Sequence, residues 1–152
     1  MESGGEVETC ELCLNRGETV LWASPACRVL RVDDPHYPGF CRVIWQAHVR
    51  EMTDLDLSDR RYLMDVVFAV ESVVRRCFSP DKINLASFGN VVPHVHWHII
   101  PRWHDDRHFP QPVWGTVQRN GTAQRPAIDN EVLRRALSAL LDPIEDQRRK
   151  PS

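Results

Sequence analysis

The chain is 152 residues long, with 42% hydrophobic and 26% charged residues, and carries a formal net charge of -2 at pH 7. A chain of this size and composition predicts one globular domain with a single hydrophobic core. Acidic and basic residues nearly balance, which excludes the strongly basic surface on which non-specific nucleic-acid binding depends.

No run of 18 apolar residues occurs, so we expect no membrane-spanning helix and no membrane partner. The first residues, Met1–Glu8, are acidic and lack the basic start and apolar centre of a signal peptide. The 5 cysteines are an odd number at irregular spacing, which favours a reducing compartment over a disulfide framework. We therefore expect a cytoplasmic protein.

The first part of the chain predicts three short strands, at Thr19–Trp22, Arg28–Val32 and Phe40–Trp45. The residues between the second and third strands, Asp33–Pro35 and Tyr37–Gly39, are typical of turns.

A long amphipathic helix follows. Its apolar side chains recur at steps of four and three residues, as in a helix that packs on a sheet. This apolar set consists of Leu63, Val67, Val70, Val74 and Cys77. Ser58 is the predicted N-cap, and Ser79-Pro80 ends the helix.

Two further strands are predicted at Ile83–Phe88 and His94–Ile100, and a second helix at Glu131–Leu141. We expect residues 1–9 and 143–152 to be frayed ends. Residues 101–127 hold several prolines without any period, which indicates a long arm.

The order of strands, long helix, strands and tail predicts an α+β fold: a mostly antiparallel sheet with one long helix, followed by a C-terminal helix.

The most informative segment is His94-Val95-His96-Trp97-His98-Ile99-Ile100. Because side chains alternate between the faces of a strand, the three histidines are predicted to share one face. Imidazole can be a nucleophile, a proton donor or a metal ligand near pH 7. A polar, solvent-facing strand and a three-histidine zinc site are the alternatives that the residues leave open.

This segment resembles the His-φ-His-φ-His-φ-φ signature of the histidine-triad (HIT) superfamily of nucleotide hydrolases and transferases, where φ is apolar. Upstream, Tyr37–His48 is similar to the family's Pro-Gly-His, apolar strand and Pro-x-x-His stretch. The resemblance covers residues 10–102 and implies a HIT-like fold, in a single HIT domain over 1–152 whose core is 10–102 and whose arm and last helix are 103–152.

The resemblance also implies the chemistry of a bacterial-type HIT nucleotide hydrolase. His96 would be the nucleophile that attacks the α-phosphate of a nucleoside phosphoramidate or dinucleoside polyphosphate and becomes transiently nucleotidylated. His98 would contact the phosphate and assist the leaving group, and His94 completes the catalytic triad. No cofactor is implied for this chemistry.

Three residues are implied as substrate ligands: Asn84 and Asn90 before the triad, and Asp33, or its neighbour Asp34, for the ribose.

Some positions depart from the family pattern. Phe40 stands where the family often has His, Trp45 where it often has Pro, and Asn90 where it usually has Gln. Phe40 and Asn90 motivate one alternative, a nucleotide-binding or interaction module with little turnover. A zinc-stabilised scaffold is a third possibility. In contrast, Val95 and His98 favour a hydrolase over the uridylyltransferase branch, which carries Pro and Gln there.

Cys10-Glu11-Leu12-Cys13 has the spacing of two zinc ligands. The resemblance implies that a structural zinc would be completed by His48 and His94, as in zinc-carrying relatives. Two idle thiols are the alternative, and a thioredoxin-like redox site lacks its strand and helix context.

The polar segment Trp103–Pro110 is predicted to be a solvated loop, although Trp103 or Trp114 could stack on a base or on a partner subunit. The resemblance and the exposed edge strands predict a homodimer with a continuous sheet.

Overall fold

The computed structural model of the chain describes residues 4–121 and 123–151. The elements are α1 (Gly4–Thr9), α2 (Glu11–Leu14), β1 (Thr19–Ala23), β2 (Cys27–Arg31), β3 (Cys41–Trp45), a 3-10 turn (Met52–Asp54), α3 (Leu57–Phe78), β4 (Lys82–Ala86), β5 (His96–Arg102) and α4 (Asn130–Arg149). The five strands form one sheet in the order β1-β2-β3-β5-β4, with every neighbouring pair antiparallel. The predicted α+β fold is confirmed.

The strand register separates the sheet into two faces. Val29, Val43 and Trp97 are paired across β2, β3 and β5. Val29, Val43 and Ile99 belong to the main core beneath α3 and α4, and the partly buried Trp97 packs against it. We call this the helix face. Arg42 and His98 are paired on the opposite side, where His96 also lies, and we call this the histidine face.

The long helix packs on the sheet through the apolar side chains that its period predicts. Leu63, Val67 and Val70 are fully buried, and α3 contacts both β3 and β5. Its N-cap, however, is Asp56 and not Ser58, because the Asp56 carboxylate accepts a hydrogen bond from the Asp59 N–H at 2.8 Å. The Ser58 hydroxyl instead donates to that same carboxylate at 2.9 Å.

The C-terminal helix is longer than predicted, since it continues through Pro143 to Arg149. Proline removes one intrahelical hydrogen bond and usually ends a helix. Here the last two turns are held by α3: the Tyr62 hydroxyl donates to Glu145 at 2.5 Å, and Arg148 pairs with Asp59 at 2.6 Å. The prediction of a frayed end at 143–152 was wrong for this reason, and the N-terminal residues Gly4–Thr9 are likewise helical.

The turn before β3 requires glycine. Gly39 has φ of +91°, and a Cβ at this position would lie 2.6 Å from the ring of Phe78 at the end of α3. The turn can therefore pack directly against the end of the long helix.

Residues 103–121 and 123–129, between β5 and α4, contain no helix or strand. Asp106 is nonetheless only 3% exposed, so the prediction of a simple solvated loop at Trp103–Pro110 was wrong. No helix in the described parts of the chain is long and apolar enough to span a membrane.

Candidate active site

His96 is the first residue of β5, and its ring is held in one tautomer. The Nδ1–H donates to the carbonyl oxygen of His94 at 2.5 Å, which leaves the lone pair of Nε2 available for attack. Burial of the ring, which is 8% exposed, and the positive charge of Arg42 lower the pKa of His96 below its usual value. A buried neutral imidazole of this kind is suited to be a nucleophile.

His98 lies on the same face and is surrounded by aromatic rings. Its ring centroid is 5.0 Å from that of His96, 4.9 Å from that of Trp114 and 5.9 Å from that of Phe40. Burial lowers the pKa of His98 to about 3, with further contributions from His96 and Arg42. His98 is therefore neutral at pH 7 and acts as a hydrogen-bonding group.

The buried Nδ1 of His98 has no hydrogen-bond partner among the described residues. A buried polar atom without a hydrogen-bond partner costs free energy, and such atoms often bind a ligand or an ordered water. Phe40 contacts this ring but offers no hydrogen bond to it.

His94 precedes β5 and its ring faces a different group of residues. Its Nδ1 lies 3.5 Å from Sγ of Cys10 and 3.4 Å from Sγ of Cys13, while its Nε2–H donates to the carbonyl oxygen of Trp45. The contribution of His94 to the His96–His98 pair is thus its backbone carbonyl, which orients the ring of His96.

The side chains of Cys10, Cys13, His48 and His94 meet at this point, with ligand atoms all within 4.8 Å of one another. Zn–S and Zn–N bonds of about 2.3 and 2.0 Å in a tetrahedron place neighbouring ligand atoms roughly 3.3–3.8 Å apart. The distances of 3.4 Å from Sγ of Cys13 to Nδ1 of His48 and of His94 agree with this.

The outer contacts of the cluster also suit a metal. The bond from His94 Nε2–H to the Trp45 carbonyl fixes the tautomer that presents Nδ1 to the cluster. Burial and the neighbouring Cys10 raise the pKa of Cys13 to about 11, and a dication is the group that would reverse this. The four residues therefore fit a structural zinc.

The three predicted substrate ligands lie at separate positions. Asn84 is on β4, and its Oδ1 accepts a hydrogen bond from Arg102 at 2.7 Å. Asn90 is exposed in the link between β4 and β5, and Asp33 is exposed just after β2. No hydrogen bond among the described residues joins these three side chains to His96 or His98.

Two aromatic side chains beside His98 are more exposed than most. Phe88 and Trp114 are 59% and 52% exposed, and their rings meet edge to face at 5.1 Å. Trp114 was predicted from the sequence only as a possible stacking residue, and Phe88 was not among the candidate residues. Its position as the last residue of a predicted strand was the available signal.

The arm that carries Trp114 is anchored by a buried ion pair. Arg102 donates to Asp106 through both Nε, at 2.8 Å, and Nη2, at 3.1 Å, and also to the Gln111 carbonyl. Asp106 further accepts from the Tyr37 hydroxyl and from the backbone N–H of Phe109. These bonds hold the pKa of Asp106 well below its usual range, against the opposing effect of burial. The network holds the arm against the histidine face.

The HIT domain model matches residues 15–105 of the chain, which is more than half of it. The chain belongs to the HIT family. This assignment agrees with the resemblance and with the antiparallel five-strand sheet.

A histidine triad protein from Bradyrhizobium japonicum is similar in structure, with a TM-score of 0.63 and 30% identity over 86% of this chain and 93% of that one. A Zn-bound histidine triad family protein from Mycobacterium smegmatis has the same fold, with a TM-score of 0.59 and 18% identity over 93% and 99% of the two chains.

A curated relative, the asymmetrical bis(5'-nucleosyl)-tetraphosphatase of Schizosaccharomyces pombe, is 34% identical over 91 residues. The match covers 57% of this chain and 50% of that protein, so the chain spans about half the length of this relative.

Proposed function

We propose that the chain is a nucleotide hydrolase that cleaves at the α-phosphate through a covalent nucleotidyl-His96 intermediate. The observation that carries this proposal is the geometry of His96, whose Nδ1–H is bonded to the His94 carbonyl while Nε2 makes no hydrogen bond to the described residues. The name of the tetraphosphatase relative supports a substrate of the dinucleoside polyphosphate class. Nucleoside phosphoramidates are the second substrate class, on the family resemblance.

In the first step, Nε2 of His96 forms a bond to the α-phosphorus while the bond from phosphorus to the leaving oxygen or nitrogen breaks. The leaving group departs with the bond electrons and takes a proton from solvent or from a donor at the site. Neutral His98 donates a hydrogen bond to the phosphate or to the leaving atom. Water then attacks phosphorus, loses a proton and displaces His96, which releases a nucleoside monophosphate.

The buried tautomer of His96 supports the intermediate. An N-phosphorylated imidazole develops positive charge, and the His94 carbonyl that accepts from Nδ1–H stabilises that charge. Because this hydrogen-bond acceptor is a backbone carbonyl, no carboxylate side chain is needed to stabilise the positive charge on His96.

Phe88 and Trp114 lie beside His98, the residue that we propose to assist the leaving group. Both rings contact the His98 ring and remain largely exposed. Exposed aromatic rings stack well on planar groups such as nucleobases. We place one planar end of the substrate here, and we assign Asn84, Asn90 and Asp33 to the nucleotide only as the family resemblance implies.

When bound, a zinc ion would supply structural cross-linking of the N-terminal segment to the triad strand, with Cys10, Cys13, His48 and His94 as its ligands. The chemistry at His96 needs no cofactor in this proposal. We also propose a homodimer and a cytoplasmic location, as expected from the sequence.

A binding module with little turnover is the second candidate. It is favoured by Phe40, which packs on His98 where the family often has a histidine and cannot bond to the buried Nδ1 of His98, an atom with no partner in the part of the chain that the structure describes. Nucleotide binding without product release would support this alternative.

The test is chromatography of AMP and GMP released from a panel of dinucleoside polyphosphates and nucleoside phosphoramidates. We expect His96→Ala to lower turnover by about 10⁴-fold or more, and intact-mass analysis to find a nucleotidyl adduct on the wild-type protein alone. His104→Ala is the control, since the side chain of His104 is 73% exposed and lies outside the site. Equal rates in wild type and His96→Ala would refute the mechanism.

A further inference from the structure

Three arginines lie on the histidine face of the sheet, and two of them are fully engaged. Arg28 donates to Glu18, Gln46 and the Leu12 carbonyl through all three of its nitrogens. Arg102 is bonded in the same complete way to Asp106, Asn84 and the Gln111 carbonyl.

Arg42 differs from both. Its Nε is buried and has no hydrogen-bond acceptor within residues 4–121 and 123–151. The negative charge of Glu11 raises the pKa of Arg42 from a distance. Glu11 is exposed, however, and no ion pair joins the two side chains within those same ranges. Burial lowers the pKa of Arg42, as expected for a charge that is partly removed from water.

The position of Arg42 brings its charge to the reacting histidines. Arg42 on β3 is directly opposite His98 on β5, and Ile44, two residues on, is opposite His96. Directly opposed residues in an antiparallel pair have Cβ atoms about 5 Å apart on the same face. The charge of Arg42 acts on both imidazoles and contributes to lowering their pKa values.

We propose that Arg42 binds a phosphate group of the substrate beside His96 and His98. This inference rests on the proposed function, because it takes a nucleotide as the ligand. Arg42 was not among the candidate residues predicted from the sequence, and the cross-strand register is what brings it to the site.

Phosphate is the group that fits the chemistry of this position. A half-buried guanidinium without an anion costs free energy, and the nearby histidines are neutral and supply no counter-charge. Phosphate oxygens accept the parallel N–H donors of a guanidinium, and such charge-assisted bonds are among the strong hydrogen bonds in proteins. Arg42 thus accounts for recognition of the charged part of the substrate, independently of its base.

The experiment measures the affinity of AMP and of adenosine, by competition or calorimetry, for wild type, Arg42→Met and Arg42→Lys. We expect Arg42→Met to weaken AMP binding about tenfold or more and to change adenosine binding by less than about twofold. Arg42→Lys should restore part of the AMP affinity because it keeps the charge. Arg61→Met, on the exposed side of α3, is the matched control.

A thermal-shift measurement supplies the second readout. We expect Arg42→Met to be no less stable than wild type without ligand, since an unpaired half-buried charge has been removed. AMP should raise the Tm of wild type more than that of the variant. A merely structural arginine would instead lower the Tm in the absence of AMP.

The proposal is overturned if Arg42→Met leaves AMP affinity unchanged, if it weakens adenosine as much as AMP, or if wild type binds no AMP. The assay reports binding and not turnover. Failure of the proposed hydrolysis would therefore appear separately, as activity that does not depend on His96.

Discussion

The two faces of the sheet are built in different ways. The helix face is apolar and is covered by two long helices, so that Val29, Val43 and Ile99 are completely buried. The histidine face carries His96, His98 and Arg42. It is covered at its ends by two short segments, the N-terminal cysteine segment on one side and the arm after β5 on the other. The helix face supplies stability, and the histidine face positions the candidate site residues.

Contacts between distant parts of the chain position the polar groups of the histidine face, whereas the helix face is held by apolar packing. Cys10 meets His94 across 84 residues, and Tyr37 meets Asp106 across 69 residues. We therefore expect substitutions on the helix face to alter stability alone, and those at the edges of the histidine face to alter both stability and function.

The largest effect on stability is expected from Asp106→Asn, which leaves the guanidinium of Arg102 buried without its carboxylate. Removing one partner of a buried ion pair costs about 3–5 kcal/mol. Activity should fall at temperatures below the melting transition as well, because the arm also positions Trp114. Denaturant unfolding and steady-state kinetics measure the two effects.

Asp105→Asn is the matched control for this change, since the side chain of Asp105 is 60% exposed and its ion pair with Arg125 lies at the surface. We expect it to cost less than about 1 kcal/mol. Because the pKa of Asp106 is lowered in the folded protein, its carboxylate adds to the free energy of unfolding. This contribution is complete above about pH 4 and is lost as the pH falls further. Similar stability of both variants at pH 7 would contradict the role of the buried pair.

On the helix face, Leu63→Ala should lower the free energy of unfolding by about 2–5 kcal/mol, since Leu63 is fully buried beneath the sheet. Turnover per folded molecule should stay within about twofold of wild type, because Leu63 packs in the core on the helix face, across the sheet from His96 and His98. Leu57→Ala, at a position 57% exposed on the same helix, should leave both quantities unchanged. A large loss of activity in folded Leu63→Ala would break the separation of the two faces.

The cysteine segment is tested with Cys10→Ser and with removal of metal by a chelator. We expect the wild-type protein to lose about 5 °C or more of Tm on chelation, and the variant to begin near that lower value. Turnover measured below the Tm should change little in Cys10→Ser, because the metal ligands act on His96 only through the His94 backbone. Cys77→Ser, at a half-buried position outside the cluster, serves as the control. Metal analysis without zinc and a normal Tm for Cys10→Ser would refute the site.

The smallest expected effect is in the pH dependence of nucleotidylation. Burial and Arg42 lower the pKa of His96, so its imidazole stays neutral as the pH falls through the range where histidine usually protonates. An ordinary histidine with a pKa of about 6.5 would lose about tenfold in neutral fraction between pH 7.5 and 5.5. Because the pKa of His96 is lowered, we expect a single-turnover rate that falls by clearly less than tenfold over this range. A tenfold loss, with folding intact by circular dichroism, would show that His96 titrates as an exposed ring.

Sequence periodicity determined much of this protein. The apolar spacing along α3 predicted the helix face, because burial repeats with the period of the helix. The alternation along β5 put His96 and His98 on one face for the same local reason. The spacing of Cys10 and Cys13, read with the family resemblance, predicted the group that His48 and His94 complete.

Only the tertiary structure decided the rest. The continuation of α4 past Pro143 depends on Tyr62 and Asp59 of another helix, and the burial of Asp106 depends on Arg102 and Tyr37. Arg42 reaches the histidines only through strand pairing. These features rest on contacts between segments far apart in the chain, and local propensity carries no information about which segments will meet.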